Sequence, residues 1–113
     1  MKLPNAENVI ILEAKITRYL LAPDHPTGQG KADFFLAHGF TAAEWEHLAW
    51  ALRTHAATYA VAVAKPRPYG VNYVVEGPLA TPNGRRPWVR SVWMIENGAA
   101  TARLLTAYPC RRR

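Results

Sequence analysis

Apolar positions recur every third or fourth residue in the first half of this chain and every second residue afterwards. Ile16, Tyr19 and Leu20 are at helical spacing, so the pattern predicts a helix over 13–22, which Pro23 closes. The apolar run 9–12 before it reads as a short strand or as the lead-in to that helix. A second helix is expected over 30–38, stopped by Gly39. The third has a start signal: Thr41-Ala42-Ala43-Glu44 is a capping box, followed by Trp45, Leu48, Ala49, Leu52 and Ala56 on one helical face. From about residue 57 the pattern becomes that of strands, predicted over 59–64, 71–76, 88–95 and 103–108, with Asn83-Gly84 and Asn97-Gly98 marking tight turns. The whole reads as an α+β domain: about three N-terminal helices packed on a four-stranded, mainly antiparallel meander sheet.

Composition sharpens this picture. The chain has 113 residues, enough for one domain (1–113) with a genuine core, and 50% of them are hydrophobic, which favours a folded globular domain over disorder. The formal net charge is +6, and Arg111, Arg112 and Arg113 contribute to it from a stretch that reads as a basic tail over 110–113. An excess of that sign suits an acidic partner, either nucleic acid or an acidic protein. Cys110 is the sole cysteine, so an intramolecular disulfide and a cysteine-based zinc site are both excluded, and a reducing cytoplasm is the expected place of action. The N-terminus carries no apolar secretion signal and no stretch is long enough for a membrane span.

Two common chemistries have no sequence support. The histidines His38, His47 and His55 form no His-x-x-x-His pair and the acids do not cluster with them, so they are expected to be exposed or capping residues and no metal is expected. Gly28-Gln29-Gly30-Lys31 lacks the spacing and the preceding strand of a phosphate-binding loop, and no cofactor is expected. What remains is His25, Lys31, Arg90, Arg103, Thr106 and Tyr108, with Ser91 and Trp93 nearby. Metal-independent RNA cleavage needs a group to take the ribose 2′-hydroxyl proton, cations for the phosphorane and an acid for the leaving oxygen. Histidine, arginine and aromatic residues can base, grip phosphate and stack a nucleobase respectively. The bland alternative is that residues 25–31 form an ordinary Pro/Gly loop with a surface histidine and a solvated lysine.

Register bears on that choice. A two-residue turn at Asn97-Gly98 would set Trp93 opposite Ala102 and Val89 opposite Thr106. Ser91, Trp93, Leu104, Thr106 and Tyr108 would then share a core face, and Arg90 and Arg103 the other, with Thr106 joining the arginines only through a bulge or a longer turn.

Several stretches together resemble an uncharacterised family of small bacterial toxin-like domains. They are Leu3-Pro4-Asn5-Ala6, Tyr19-Leu20-Leu21, His25-Pro26-x-Gly28-x-x-Lys31-Ala32-x-Phe34, Gly70-x-x-Tyr73, Asn83-Gly84, Val89-Arg90-Ser91-Val92-Trp93 and Arg103-Leu104-Leu105-Thr106-Ala107-Tyr108-Pro109. More distantly, helices followed by a meander sheet and a terminal Thr-x-Tyr-Pro are similar to the barnase, EndoU, colicin and RelE superfamily of metal-independent ribonucleases. The resemblance implies an endoribonuclease toxin acting on tRNA or mRNA and neutralised by a cognate antitoxin or immunity protein. It implies catalytic roles for His25 (general base or acid), Lys31, Arg90, Thr106 and Tyr108; from the residues themselves, Arg103, Ser91 and Trp93 are expected as substrate contacts. The other function the residues suggest is a non-catalytic basic module, antitoxin-like or phage-encoded, that binds an acidic protein or nucleic acid.

Overall fold

The computed structural model describes residues 1–26 and 29–112, so Thr27 and Gly28 of the His25–Lys31 segment and Arg113 of the basic tail lie outside the described residues. Three helices precede a four-stranded antiparallel meander in the order β1-β2-β3-β4, an α+β arrangement as expected. A 3-10 turn (Ala6–Asn8) leads to α1 (Glu13–Lys15), which continues directly into a π-helical stretch, Ile16–Leu20. That stretch is closed by the Leu21 N–H donating to Ile16 O, five residues back. Ile16 and Leu20 are fully buried and anchor it, leaving Tyr19 half-buried at its flank.

Helix α2 (Gln29–Ala37) buries Ala32 and Phe35, and the chain turns away at Gly39, whose φ of 97° suits glycine. Ahead of α3 (Trp45–Thr58), Thr41 Oγ1 accepts the Glu44 N–H at 3.2 Å, which is one half of the capping box. The Glu44 carboxylate lies 3.7 Å from His47. Leu48, Leu52 and Ala56 of α3 are fully buried against the sheet, beside Val75, Val89, Trp93 and Ala107.

The strands are β1 (Val61–Arg67), β2 (Gly70–Pro78), β3 (Trp88–Glu96) and β4 (Arg103–Pro109). Strand β1 runs through Pro66 where the sequence suggested an end at 64. It is an edge strand, so the missing proline N–H costs no ladder bond on the outer side. Residues 68–69 turn it into β2 at Gly70, where a side chain would run into the backbone of Ile95 and Glu96. The apolar run 9–12 is extended: Ile10 donates its N–H to Ala102 O at 2.9 Å and accepts the Leu104 N–H at 3.0 Å, a single parallel bridge to β4.

The β3–β4 register differs from the two-residue-turn expectation. Six residues, 97–102, separate the strands, and the pairing shifts between Val92 and Trp93: Trp93 opposes Leu104, Val92 opposes Thr106 and Arg90 opposes Tyr108. Leu105 is the extra residue of this bulge. Trp93 and Leu104 therefore face the core, whereas Thr106 and Tyr108 are carried to the face of Arg90. His55 is also corrected: rather than exposed or capping, it is 2% exposed on the buried face of α3.

Candidate active site

The polar residues at the β4 edge converge on a side chain that the sequence reading placed only on a helix face. Lys31, early in α2, donates from Nζ to Tyr19 Oη at 2.8 Å. On its other side Tyr19 Oη lies 3.1 Å from Thr106 Oγ1, with either hydroxyl able to donate. The His25 ring packs edge-on against the Tyr19 ring, centroids 5.0 Å apart, and Lys15 Nζ stands 5.0 Å from the same ring centroid. The π-helical turn supplies this geometry, because Tyr19 leaves it beside two core residues and points its hydroxyl across the sheet edge.

The cluster continues onto the outer sheet face. Lys31 Nζ is 6.0 Å from the Tyr108 ring centroid, and the Arg90 guanidinium is 5.6 Å from that same centroid. Register places Arg90 beside Glu76 on β2, and its Nε and Nη2 both reach Glu76 Oε2, at 2.6 and 2.5 Å. The structure thus joins His25, Lys31, Thr106, Tyr108 and Arg90 through Tyr19 in one chain of contacts from the loop after α1 to β2. Around Arg90 and Tyr108 a shallow depression of about 240 Å³ opens, lined also by Val63, Lys65, Val74 and Glu76.

Electrostatics follow from these contacts. Burial alone raises the Tyr19 phenol, but the hydrogen bonds with Lys31 and Thr106 and the charges of Lys31 and Lys15 outweigh it, so its pKa falls below the ordinary 10.0. Tyr108 first and Glu76 second hold Arg90 above its ordinary value, fixing it as a cation. Such a set can orient an anion with Lys31 and the part of the Arg90 guanidinium not bonded to Glu76, while keeping a hydroxyl and an imidazole within the same patch.

The remaining candidates are placed elsewhere. Arg103 shares the outer face but is committed to Glu96 through Nε–Oε1 at 2.9 Å, without contact to the cluster. Ser91 and Trp93 are fully buried on the opposite face, where Trp93 Nε1 donates to Ser91 Oγ and Ser91 Oγ is 2.9 Å from His55 Nδ1. At the tail, Cys110 N–H still donates to Trp88 O, and Arg112 lies over the Trp88 ring at 5.5 Å. Tyr19, Lys15 and Glu76 were missed by the sequence reading. The Lys15/Tyr19 spacing of four was visible, but the partner role of Glu76 depends on strand register.

Among the described residues no three His, Cys, Asp or Glu side chains gather as metal ligands, and no helix is long and apolar enough to cross a membrane. A further apolar groove, bordered by Phe40, His47, Trp50, Ala80 and Pro82, shares no residue with the cluster.

The chain belongs to the family described as Domain of unknown function (DUF6883), which it matches over residues 2–111. Its fold is similar to that of a chain in the contact-dependent growth inhibition toxin–immunity protein complex from Klebsiella pneumoniae 342. The TM-score is 0.66 and the identity 12%, covering 89% of this chain and 99% of the other. No curated protein matches the sequence.

Proposed function

We propose that this domain is a metal-independent endoribonuclease toxin acting on tRNA or mRNA, held in check by a cognate immunity protein or antitoxin. The observation that carries the reading is the contact chain from His25 through Tyr19 and Lys31 to Thr106, Tyr108 and Arg90. His25 serves as general base for the ribose 2′-hydroxyl, whose oxygen attacks the adjacent phosphorus. Lys31 and Arg90 stabilise the charge that builds on the phosphorane oxygens, where one well-placed donor is worth about 10²–10³ in rate. Thr106 and Tyr108 position the scissile phosphate, and the depression beside Tyr108, with Val63 and Val74 as aliphatic walls, receives a base against the tyrosine ring. The products are a 2′,3′-cyclic phosphate and a 5′-hydroxyl. The fold likeness to a chain from a toxin–immunity complex and the net charge of +6 support an acidic protein as the neutralising partner.

Expression of the wild type beside His25→Ala and Arg90→Ala, read by growth and RNA integrity, tests this. The wild type is expected to halt growth and fragment RNA, each variant to lose about 10²-fold or more of the cleavage rate, and purified wild type to keep cutting in excess chelator. Equal harmlessness of all three would replace the toxin with the non-catalytic basic binding module.

A further inference from the structure

Cleavage at a ribose 2′-hydroxyl needs two proton transfers, and the roles assigned so far supply one. The 5′-oxygen leaves as an alkoxide unless a nearby acid protonates it as the bond to phosphorus breaks. Lys31 and Arg90 serve as cations, Tyr108 is assigned to holding the phosphate beside Arg90, and Thr106 is an alcohol too weakly acidic for the task.

We propose that Tyr19 is the general acid that donates its phenolic proton to the leaving 5′-oxygen, with Lys31 and Thr106 holding the resulting phenolate. The inference rests on the ribonuclease reading above and adds a catalytic residue to it. Three features of the site argue for it. Lys31 Nζ donates to Tyr19 Oη at 2.8 Å, so the hydroxyl's own proton is directed away from the lysine, toward Thr106 or toward a ligand that displaces it. The same ammonium is placed to stabilise negative charge that exists on the phenol only after the proton has gone, which is differential stabilisation of the transition state. Finally, the His25 ring packs edge-on against the Tyr19 ring, which keeps a base and an acid close enough to flank one phosphate from its two sides. The lowered pKa of the phenol agrees with this role.

The step balances without a co-reactant. The 2′-oxygen forms a bond to phosphorus and its proton passes to His25, while the phosphorus–5′-oxygen bond breaks and that oxygen takes the Tyr19 proton. Proton return from imidazolium to phenolate through solvent restores both groups.

A leaving-group exchange tests the assignment. A dinucleotide whose 5′-bridging oxygen is replaced by sulfur expels a thiolate, which needs no proton. Tyr19→Phe should lose about 10²-fold or more on the all-oxygen dinucleotide yet stay within about threefold of wild type on the sulfur-bridged one. His25→Ala should remain impaired on both, because its step precedes departure. Rescue on the sulfur substrate also shows that Tyr19→Phe is folded. Equal loss on both substrates would make Tyr19 a positioning residue, and no loss on either would remove it from the reaction; both overturn the proposal. If wild type cleaves neither dinucleotide nor longer RNA, the ribonuclease reading itself fails and takes the general acid with it.

Discussion

His55 has a single protonation state that satisfies all its neighbours. Its Nε2 lies 3.0 Å from Gly77 O and 3.1 Å from Val89 O, and two carbonyls can only accept, so Nε2 carries the proton. Nδ1 then accepts from Ser91, which in turn accepts from Trp93 Nε1. Burial disfavours the imidazolium and lowers the His55 pKa below 6.5, although the two carbonyl bonds oppose that shift. The unfolded chain therefore binds the proton more tightly than the folded one. Stability should decline as pH falls through about 6.5, with a slope approaching ~1.4 kcal/mol per pH unit until the folded-state pKa is passed. Denaturant unfolding between pH 8 and pH 5 reads this directly, and the His55→Gln variant should lack that component. His55 lies seven residues after Leu48 and three after Leu52, so helical spacing alone sets it on the apolar face of α3, apart from His38 and His47. What the spacing leaves out is its partners, the Gly77 and Val89 carbonyls of β2 and β3, which depend on packing.

At the scale of elements, two departures from regular geometry build the candidate site. The π-helical turn sets the outlook of Tyr19, and the β4 bulge at Leu105 turns Thr106 and Tyr108 toward Arg90. Without the bulge the strand would present these residues to the core. Helix and strand positions were legible, because the 3.6- and 2-residue periods and the Thr41–Glu44 box are local signals. The register was not, since the length of the 97–102 loop and a one-residue bulge are settled by packing between elements far apart in sequence. The β1–β2 hairpin offers a sharper check of close packing. A Cβ on Gly70 would overlap Ile95 O and lie 2.8 Å from Glu96 Cα, backbone atoms that have no rotamer to escape into. Gly70→Ala should cost about 1–3 kcal/mol and lower the thermal midpoint by several degrees for each of those, as a melt would record.

Across the whole molecule, the positive charge should make RNA binding strongly dependent on salt. With the His25→Ala variant and a labelled single-stranded RNA, log affinity should fall linearly with log salt, at about −0.7 per phosphate neutralised. A flat line would count against a phosphate-gripping surface. The topology also dictates when such a surface exists. Tyr19 and Thr106 meet across 87 positions of sequence, Asn5 reaches Ala100 across 95, and Ile10 is bonded to both Ala102 and Leu104. Helix and meander hold mostly local contacts, whereas the candidate site exists only once the first elements of the chain are docked on its final strand. Under the proposed function, a threaded or partly melted copy would lack the assembled site, and RNA cleavage should vanish at the same denaturant concentration as the global fold.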